Sequence, residues 1–525
     1  MRSCYYYGID TAQGFAMKVK KRKFCIILIL SIVIHSSLAF ADADKIFKEN
    51  SNAVVVIETF DKEGKPISQG SGFIVREDGA IVTNYHVISN AEDIKVKAGD
   101  KVLKIEGLLH IDKENDVVIL KAKGEKLQTV KIGDIEKLNV GEKIYVISSP
   151  EGLENTISDG ILSGIREIEP KRKILQITAP ISSGSSGGPV FNKNGEVVGI
   201  ATFLVKEAQN INFAMPVNLL KNKISAKKVI ALKDAEIVDY EKTAEYWFIL
   251  GYYYAEADLY KEAVDAFKQA IMIKPVFAEA HYNLGVAYSN LSIYREAIKS
   301  YQQAIRIKPD FAEAHNNLGF IYDNLGMHRE ALDCFKQAII FKPDFAEGYN
   351  GLGTTYVNLS MYKEAIGAFK QAIRFKPDLA EAYYNLGLTY NKLGMNKEAL
   401  EAYKQTIRIK PDFAEAHNNL GVTYDNSGMY REALEAYNQA IRFKPDYADT
   451  YVNLSATYVN LGKYKEAMEA LKLAIRIKPD HANAHFGLGL TYLLLNDRSS
   501  ALDEYKILKD LDLQLANELF NRIYK

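Results

Sequence analysis

The chain has 525 residues, of which 66 are Lys or Arg and 66 are Asp or Glu, so its formal net charge is zero. That balance offers no basic excess for a phosphate backbone and no acidic tail, which sets nucleic-acid binding aside. The length calls for more than one domain, and three cysteines supply neither a disulfide framework nor a zinc site.

At the amino terminus Lys18, Lys20, Lys21, Arg22 and Lys23 precede an apolar run from Phe24 to Ile34, and Ala39, Phe40 and Ala41 offer a signal-peptidase site before Asp42. This predicts a signal segment over 1–41, with Met17 as an alternative start, and export to the periplasm or beyond. An uncleaved membrane anchor over 24–41 is the alternative, although the apolar run is short for a span of about 20 residues. Cys4 and Cys25 fall in this segment.

Residues 42–225 read as strands. Short β-branched runs such as Ala53 to Ile57 and Lys143 to Ile147 are separated by the turn pairs Asp78-Gly79 and Asn194-Gly195. About 180 residues of this kind suit a pair of six-stranded barrels.

His86 stands at the end of the apolar run Ile81 to Tyr85, Asp116 opens the run Val117 to Leu120, and Ser186 lies in Ser183-Gly184-Ser185-Ser186-Gly187-Gly188-Pro189. A hydroxyl near its free pKa is a poor nucleophile, so Ser186 needs His86 as general base, and His86 needs a buried carboxylate to fix its tautomer. Gly184 lets the chain fold back so that the N–H groups of Gly184 and Ser186 converge on a developing oxyanion. Asp116 is preferred to its rival Asp112 because it directly precedes a rigid strand, whereas Asp112 sits among Lys113, Glu114 and Asn115. The other histidine of the region, His110, has no comparable context.

On these residues the segment from about 45 to 225 resembles an HtrA-type (Deg-like) serine protease domain, a branch of the trypsin-like double β-barrel. Gly70-Ser71-Gly72-Phe73, the stretch Asp78 to Val87, Asn115 to Lys121, Gly184 to Pro189 and Asn212 to Val217 carry the likeness. Two departures stand out. Ser182-Ser183-Gly184-Ser185-Ser186 replaces the family's usual Asn-Pro-Gly-Asn-Ser, and Thr178 stands near where an aspartate is common. No peptide-binding PDZ domain is recognisable after residue 225. The resemblance also places the floor of the specificity pocket at Pro180, six residues before Ser186, beside Ile181. Without a carboxylate from Ile177 to Ile181, it implies cleavage after small or medium aliphatic residues.

A linker is expected over 226–243. Beyond it, prolines after lysine recur every 34 residues at Pro275, Pro309, Pro343, Pro377, Pro411, Pro445 and Pro479. In the same frame come Gly251 and its equivalents, with Ser455 the exception, then a tyrosine series from Tyr254 to Tyr492 and an alanine series from Ala263 to Ala501. A small residue where paired helices cross, an aromatic filling the gap and a helix-stopping proline describe a helix-turn-helix solenoid. The pattern resembles eight tetratricopeptide repeats over 244–515, closed by a capping helix over 516–525. A fragment over 42–225 is accordingly expected to fold without them. Cys334, alone in a repeat helix, reads as a packed small residue.

Asn283, Asn317, Asn385, Asn419 and Asn453 share one register of the first helices. Tetratricopeptide families line their concave face with this helix, so these amides are candidates to bind an extended peptide; a polar residue copied with each repeat is the alternative. The expectation is thus an exported serine endopeptidase without metal or cofactor, whose repeats recruit unfolded or partner polypeptides, with a role in protein quality control. A binding scaffold with a silent protease fold is the rival class. Membrane contact is expected only if the signal segment stays uncleaved.

Overall fold

Apolar alternation and all-apolar runs set the strands of the first half. β1 (Val54–Phe60) buries alternate residues, while all of β3 (Ala80–Asn84) is buried, as a strand covered on both faces must be. The computed structural model describes residues 42–149, 155–169, 172–182, 184–204, 212–235 and 237–525, so the signal-segment expectation lies outside the described residues. The chain divides into two compact units, one reaching Ser292 and the other running from Ile293 to Lys525.

In the first unit a helix over 42–50, α1, precedes the strands. With β2 (Pro66–Arg76), β4 (Asp93–Ala98), β5 (Lys101–Leu103), β6 (Ile105–Asp112) and β7 (Val117–Ala122), strands β1 and β3 form a seven-stranded sheet ordered β5-β4-β1-β2-β3-β7-β6. The second sheet contains β8 (Lys131–Ile132), β9 (Lys143–Ser148), β10 (Thr156–Glu169), β11 (Arg172–Ile177), β12 (Pro189–Asn192), β13 (Glu196–Leu204) and β14 (Asn212–Pro216). Its order is β12-β9-β10-β11-β14-β13-β8, and a further β12–β13 pairing closes six strands into a ring with β8 appended. The expected pair of six-stranded barrels is therefore a pair of seven-stranded sheets. The extra strands, β5 and β8, are three and two residues long.

The segment read as a linker is packed against the first barrel. Leu108 and Ile230 exchange backbone hydrogen bonds of 2.8 Å in both directions, and Tyr240 is fully buried. Helices α2 (Ala244–Glu256), α3 (Tyr260–Ile273) and α4 (Ala278–Asn290) come next within the same unit. Phe248, Ile249 and Tyr253 of α2 share a core with Phe213 and Met215 of β14. Residue 225 is thus not a boundary of the folded unit, because the segment 226–243 and helix α2 cover apolar surface of both barrels.

From Ala244 to Leu511 the helices fall in chain order into eight pairs of 13 and 14 residues. In the second unit a Cβ added at Gly319, Gly353, Gly387 or Gly421 would come within 2.5 to 3.0 Å of Phe335, Phe369, Tyr403 or Tyr437 respectively. Only glycine lets the two helices of a pair cross that closely. The aromatic that fills the crossing therefore comes from the second helix, not from the expected tyrosine series, most of whose members are half-buried. Lysines before the prolines also reach back: Lys342, Lys376 and Lys444 bridge Glu313, Glu347 and Glu415 at 2.8 to 2.9 Å.

The last helix runs from Leu513–Ile523, three residues earlier than expected. With Leu513 in the place of proline the helix restarts at once, and the Asp512 side chain caps it by accepting from the N–H groups of Gln514 and Leu515. Leu519 packs on Gly489, whereas Gly319, Gly353, Gly387 and Gly421 each meet an aromatic ring. Burial pushes the half-buried Cys334 thiol up to about 12, as suits a packing residue.

Candidate active site

Strand register brings the first two candidate residues together. β3 and β7 pair antiparallel with Asn84 opposite Val117, so the chain leaving β3 and the chain entering β7 meet at one end of the sheet. His86 opens a short 3-10 helix (His86–Ile88) just beyond β3, and Asp116 immediately precedes β7.

Asp116 is 1% exposed and is held from several sides. Its carbonyl accepts from Asn84 Nδ2 at 2.8 Å and from the Tyr85 N–H at 3.1 Å. Its Oδ1 accepts from the His86 backbone N–H at 2.9 Å, and Oδ2 lies 2.6 Å from His86 Nδ1. Thr202 Oγ1 donates to the same Oδ2 at 2.9 Å. The residue adopts a φ of 52°, a left-handed conformation uncommon for aspartate, sustained by this surrounding network. Asp112 instead accepts from the backbone and side chain of Asn115 at 3.1 and 2.9 Å and so organises the loop before Asp116. His110 is half-buried in β6, and burial lowers its pKa.

The turn bearing Ser186 is tied to the first barrel by Ser71, a buried residue of β2. The Ser71 N–H donates to the Ser186 carbonyl at 2.8 Å, and its hydroxyl donates to the Gly184 carbonyl at 2.7 Å. Thr83 Oγ1 in turn donates to the Ser71 carbonyl at 2.7 Å. Gly187, at a φ of 86°, fits between them, since a Cβ there would collide with Ser71 O and Thr83 Oγ1. Ser186 Oγ donates to the Thr202 carbonyl at 3.0 Å. Thr202 thus touches Asp116 with its side chain and Ser186 with its backbone.

Gly184, whose amide is expected to form an oxyanion hole with that of Ser186, is buried at a φ of 86° in this same turn. Pro180 does not sit at a buried floor: it is exposed, and its carbonyl accepts from Ser158 Oγ at 2.8 Å. Ile181 is buried in the core of the second barrel.

The asparagine register is part-buried, and several of its amides are engaged within the solenoid. Asn385 and Asn453 donate to Asn350 and Asn418 of the preceding repeats at 3.1 Å, and Asn419 donates to Tyr384 OH at 3.0 Å. Asn317 accepts from its neighbour Asn316 at 3.3 Å, and Asn283 Nδ2 donates to the Glu279 carbonyl at 2.9 Å.

Two residues of the site escape the sequence reading. Ser71 carries a signal, because flanking Gly70 and Gly72 mark close approach; a Cβ at Gly70 would come 2.6 Å from Val87. Thr202 carries none, since its partner Asp116 is 86 positions away.

Three family models match the chain: a trypsin-like peptidase domain over residues 70–200, the cilia and flagella-associated protein 70 C-terminal domain over 276–487, and a TPR repeat over 251–292. A probable periplasmic serine endoprotease DegP-like of Pseudomonas putida is 38% identical over 165 residues, covering 30% of this chain and 34% of that protein. The putative serine protease HhoB of Synechocystis is 37% identical over 160 residues, 29% of this chain and 38% of the relative. Protease Do-like 1, chloroplastic, of Arabidopsis thaliana is 33% identical over 195 residues, 33% and 44% of the two chains. The chain therefore spans less than half the length of these relatives. A crystal structure of the serine endoprotease from Yersinia pestis is 30% identical, with a TM-score of 0.31, covering 34% of this chain and 63% of that one. The chain thus joins a trypsin-like peptidase domain, with homologues of the DegP and HtrA kind, to a carboxyl-terminal array of tetratricopeptide repeats.

Proposed function

We propose that the protein is an exported serine endopeptidase in which Ser186 is the nucleophile, His86 the general base and Asp116 the residue that orients His86. The observation that carries this reading is the buried Asp116 carboxylate, which faces both the backbone N–H and Nδ1 of His86 beside the Ser186 turn. With Nδ1–H donating to Asp116, the proton-free Nε2 is the base that takes the Ser186 proton as Oγ attacks the peptide carbonyl. The amides of Gly184 and Ser186 hold the resulting oxyanion. The imidazolium, stabilised by Asp116, then protonates the leaving amine, and water repeats the sequence on the acyl-enzyme.

Export is supported by the basic and apolar run before Asp42 and by relatives named periplasmic. Among the described residues no helix is long and apolar enough to cross a membrane. The repeats serve to recruit unfolded or partner polypeptides, with the Asn283, Asn317, Asn385, Asn419 and Asn453 register as a candidate contact line. Cleavage after Val, Ala or Leu rather than Arg or Lys is the preference that the resemblance to HtrA-type proteases implies. Such residues are buried in folded proteins and exposed in damaged ones, which supports a quality-control role.

Cleavage of casein tests the reading. Asp116→Asn is expected to lower kcat/KM by about 10⁴-fold through the wrong tautomer, and Asp112→Asn to leave it within about tenfold. The reverse ranking would reassign the carboxylate, and products ending mainly in Arg or Lys would overturn the substrate preference.

A further inference from the structure

The short helix that carries His86 is gripped at both ends by the segment leading into the first repeat. Before it, Tyr85 OH accepts from the Val238 N–H at 2.8 Å and donates to the Val238 carbonyl at 3.3 Å. After it, Ser89 Oγ donates to the Val238 carbonyl at 3.2 Å and accepts from the Tyr240 N–H at 2.7 Å. Between these two grips the Tyr240 ring lies 6.5 Å from the His86 imidazole at an interplanar angle of 20°, and meets Tyr85 edge-on at 5.6 Å. Such separations are within the range of interacting aromatic pairs.

Tyr240 is itself held by the first repeat. Tyr246 of α2 packs edge-on against it at 5.5 Å. Farther along α2, Tyr253 stacks on Phe213 of β14 at 4.3 Å, Tyr252 OH donates to the Glu167 carbonyl at 3.3 Å, and Glu256 pairs with Arg166 at 3.1 Å. Helix α2 is therefore fastened to the second barrel while the segment before it holds the histidine of the first. The Tyr240 hydroxyl is buried and has no hydrogen-bond partner among the described residues, so what Tyr240 supplies is its ring.

We propose that Tyr240 is a positioning residue for His86, and that through it the first helical repeat is a working part of the catalytic unit rather than an appended recruitment module. This rests on the catalytic reading given above. Holding a general base in its attacking geometry is worth large factors in rate, and a displacement of about 1 Å can cost about 100-fold.

The test uses the full chain and two readouts. One is the kcat and KM of a small peptide substrate; the other is the downfield proton resonance of the His86 Nδ1–H···Asp116 hydrogen bond, recorded in a Ser186→Ala background where no turnover occurs. Tyr240→Ala is expected to lower kcat by about 10- to 100-fold with KM within about twofold, and to weaken the resonance. Tyr240→Phe is expected to restore both, since only the ring is required. A folded Tyr240→Ala protein that keeps kcat and the resonance would overturn the proposal, as would a Tyr240→Phe protein as damaged as Tyr240→Ala. Should Tyr240→Ala fail to fold, Ser89→Ala, which removes only hydrogen bonds to Val238 and Tyr240, carries the test: a several-fold fall in kcat at unchanged KM supports the proposal, and unchanged kcat overturns it. A wild-type chain without peptidase activity would defeat the catalytic reading alone, and the resonance would then decide this inference by itself.

Discussion

Thr202 Oγ1 donates to Asp116 Oδ2 at 2.9 Å while the carbonyl of the same threonine accepts from Ser186 Oγ at 3.0 Å, so one residue of β13 spans the carboxylate and the serine. A hydrogen bond to a charged group contributes about 1.5–3 kcal/mol, and its loss would leave Asp116 less firmly held. Thr202→Val, close in shape but without the hydroxyl, is expected to lower kcat/KM by about tenfold or more, with Thr202→Ser close to wild type. Peptidase kinetics on the two variants check this, and an unaffected Thr202→Val protein would show that Asp116 does not need the contact.

A second expectation concerns acid stability. Hydrogen bonds from Asn218 and Lys221, and from the Glu136 N–H, hold the Asp134 carboxyl down to about 2. A depressed pKa contributes stability above the unfolded value of about 3.9, and that contribution is lost as pH falls toward the folded value. The melting temperature of Asp134→Asn should therefore lie below that of wild type above pH ~4, with the gap closing toward pH ~2. Melting curves of both proteins across this range measure it, and a gap that persists at the acid end would contradict it.

The packing of the segment 226–243 bears on where the chain can be cut. A fragment over 42–225 loses the Leu108–Ile230 exchange and the cover that Tyr240 and Tyr253 give to Tyr85 and Phe213. Uncovering a large apolar side chain costs about 2 kcal/mol, and several are uncovered together. The fragment 42–225 is expected to aggregate or melt without cooperativity, while 42–292 melts as one unit. Equal cooperative melting of both fragments would restore the shorter boundary.

How much of the molecule is legible in the sequence depends on how local each signal is. His86 and Asp116 are legible because each adjoins an apolar strand, and the repeats because Pro275 and its successors stop a helix at a fixed interval. Tyr240 is not, because Tyr85, His86 and Ser89, which it meets, lie some 150 positions upstream, and its own segment has the composition of a connector. The aromatic that fills the helix crossings at Gly251, Gly319, Gly353, Gly387 and Gly421 is hidden for a related reason. Tyr254 and Phe267 recur with the same period, and only the crossing of the helices shows that Phe267 fills the space at Gly251. The distance of Pro180 from Ser186 along the chain likewise says nothing of how the turn exposes it.

The central claim is that Ser186 is a nucleophile activated by His86 and held by the turn that Ser71 secures. Labelling of the full chain with a fluorophosphonate, which reacts covalently with an activated serine hydroxyl, tests this most directly. The account predicts label on the wild-type chain, mapped to Ser186 by peptide sequencing, and none on Ser186→Ala or His86→Ala proteins of unchanged circular dichroism. A wild-type chain that takes up no label, or a Ser186→Ala chain that takes up as much, would contradict it.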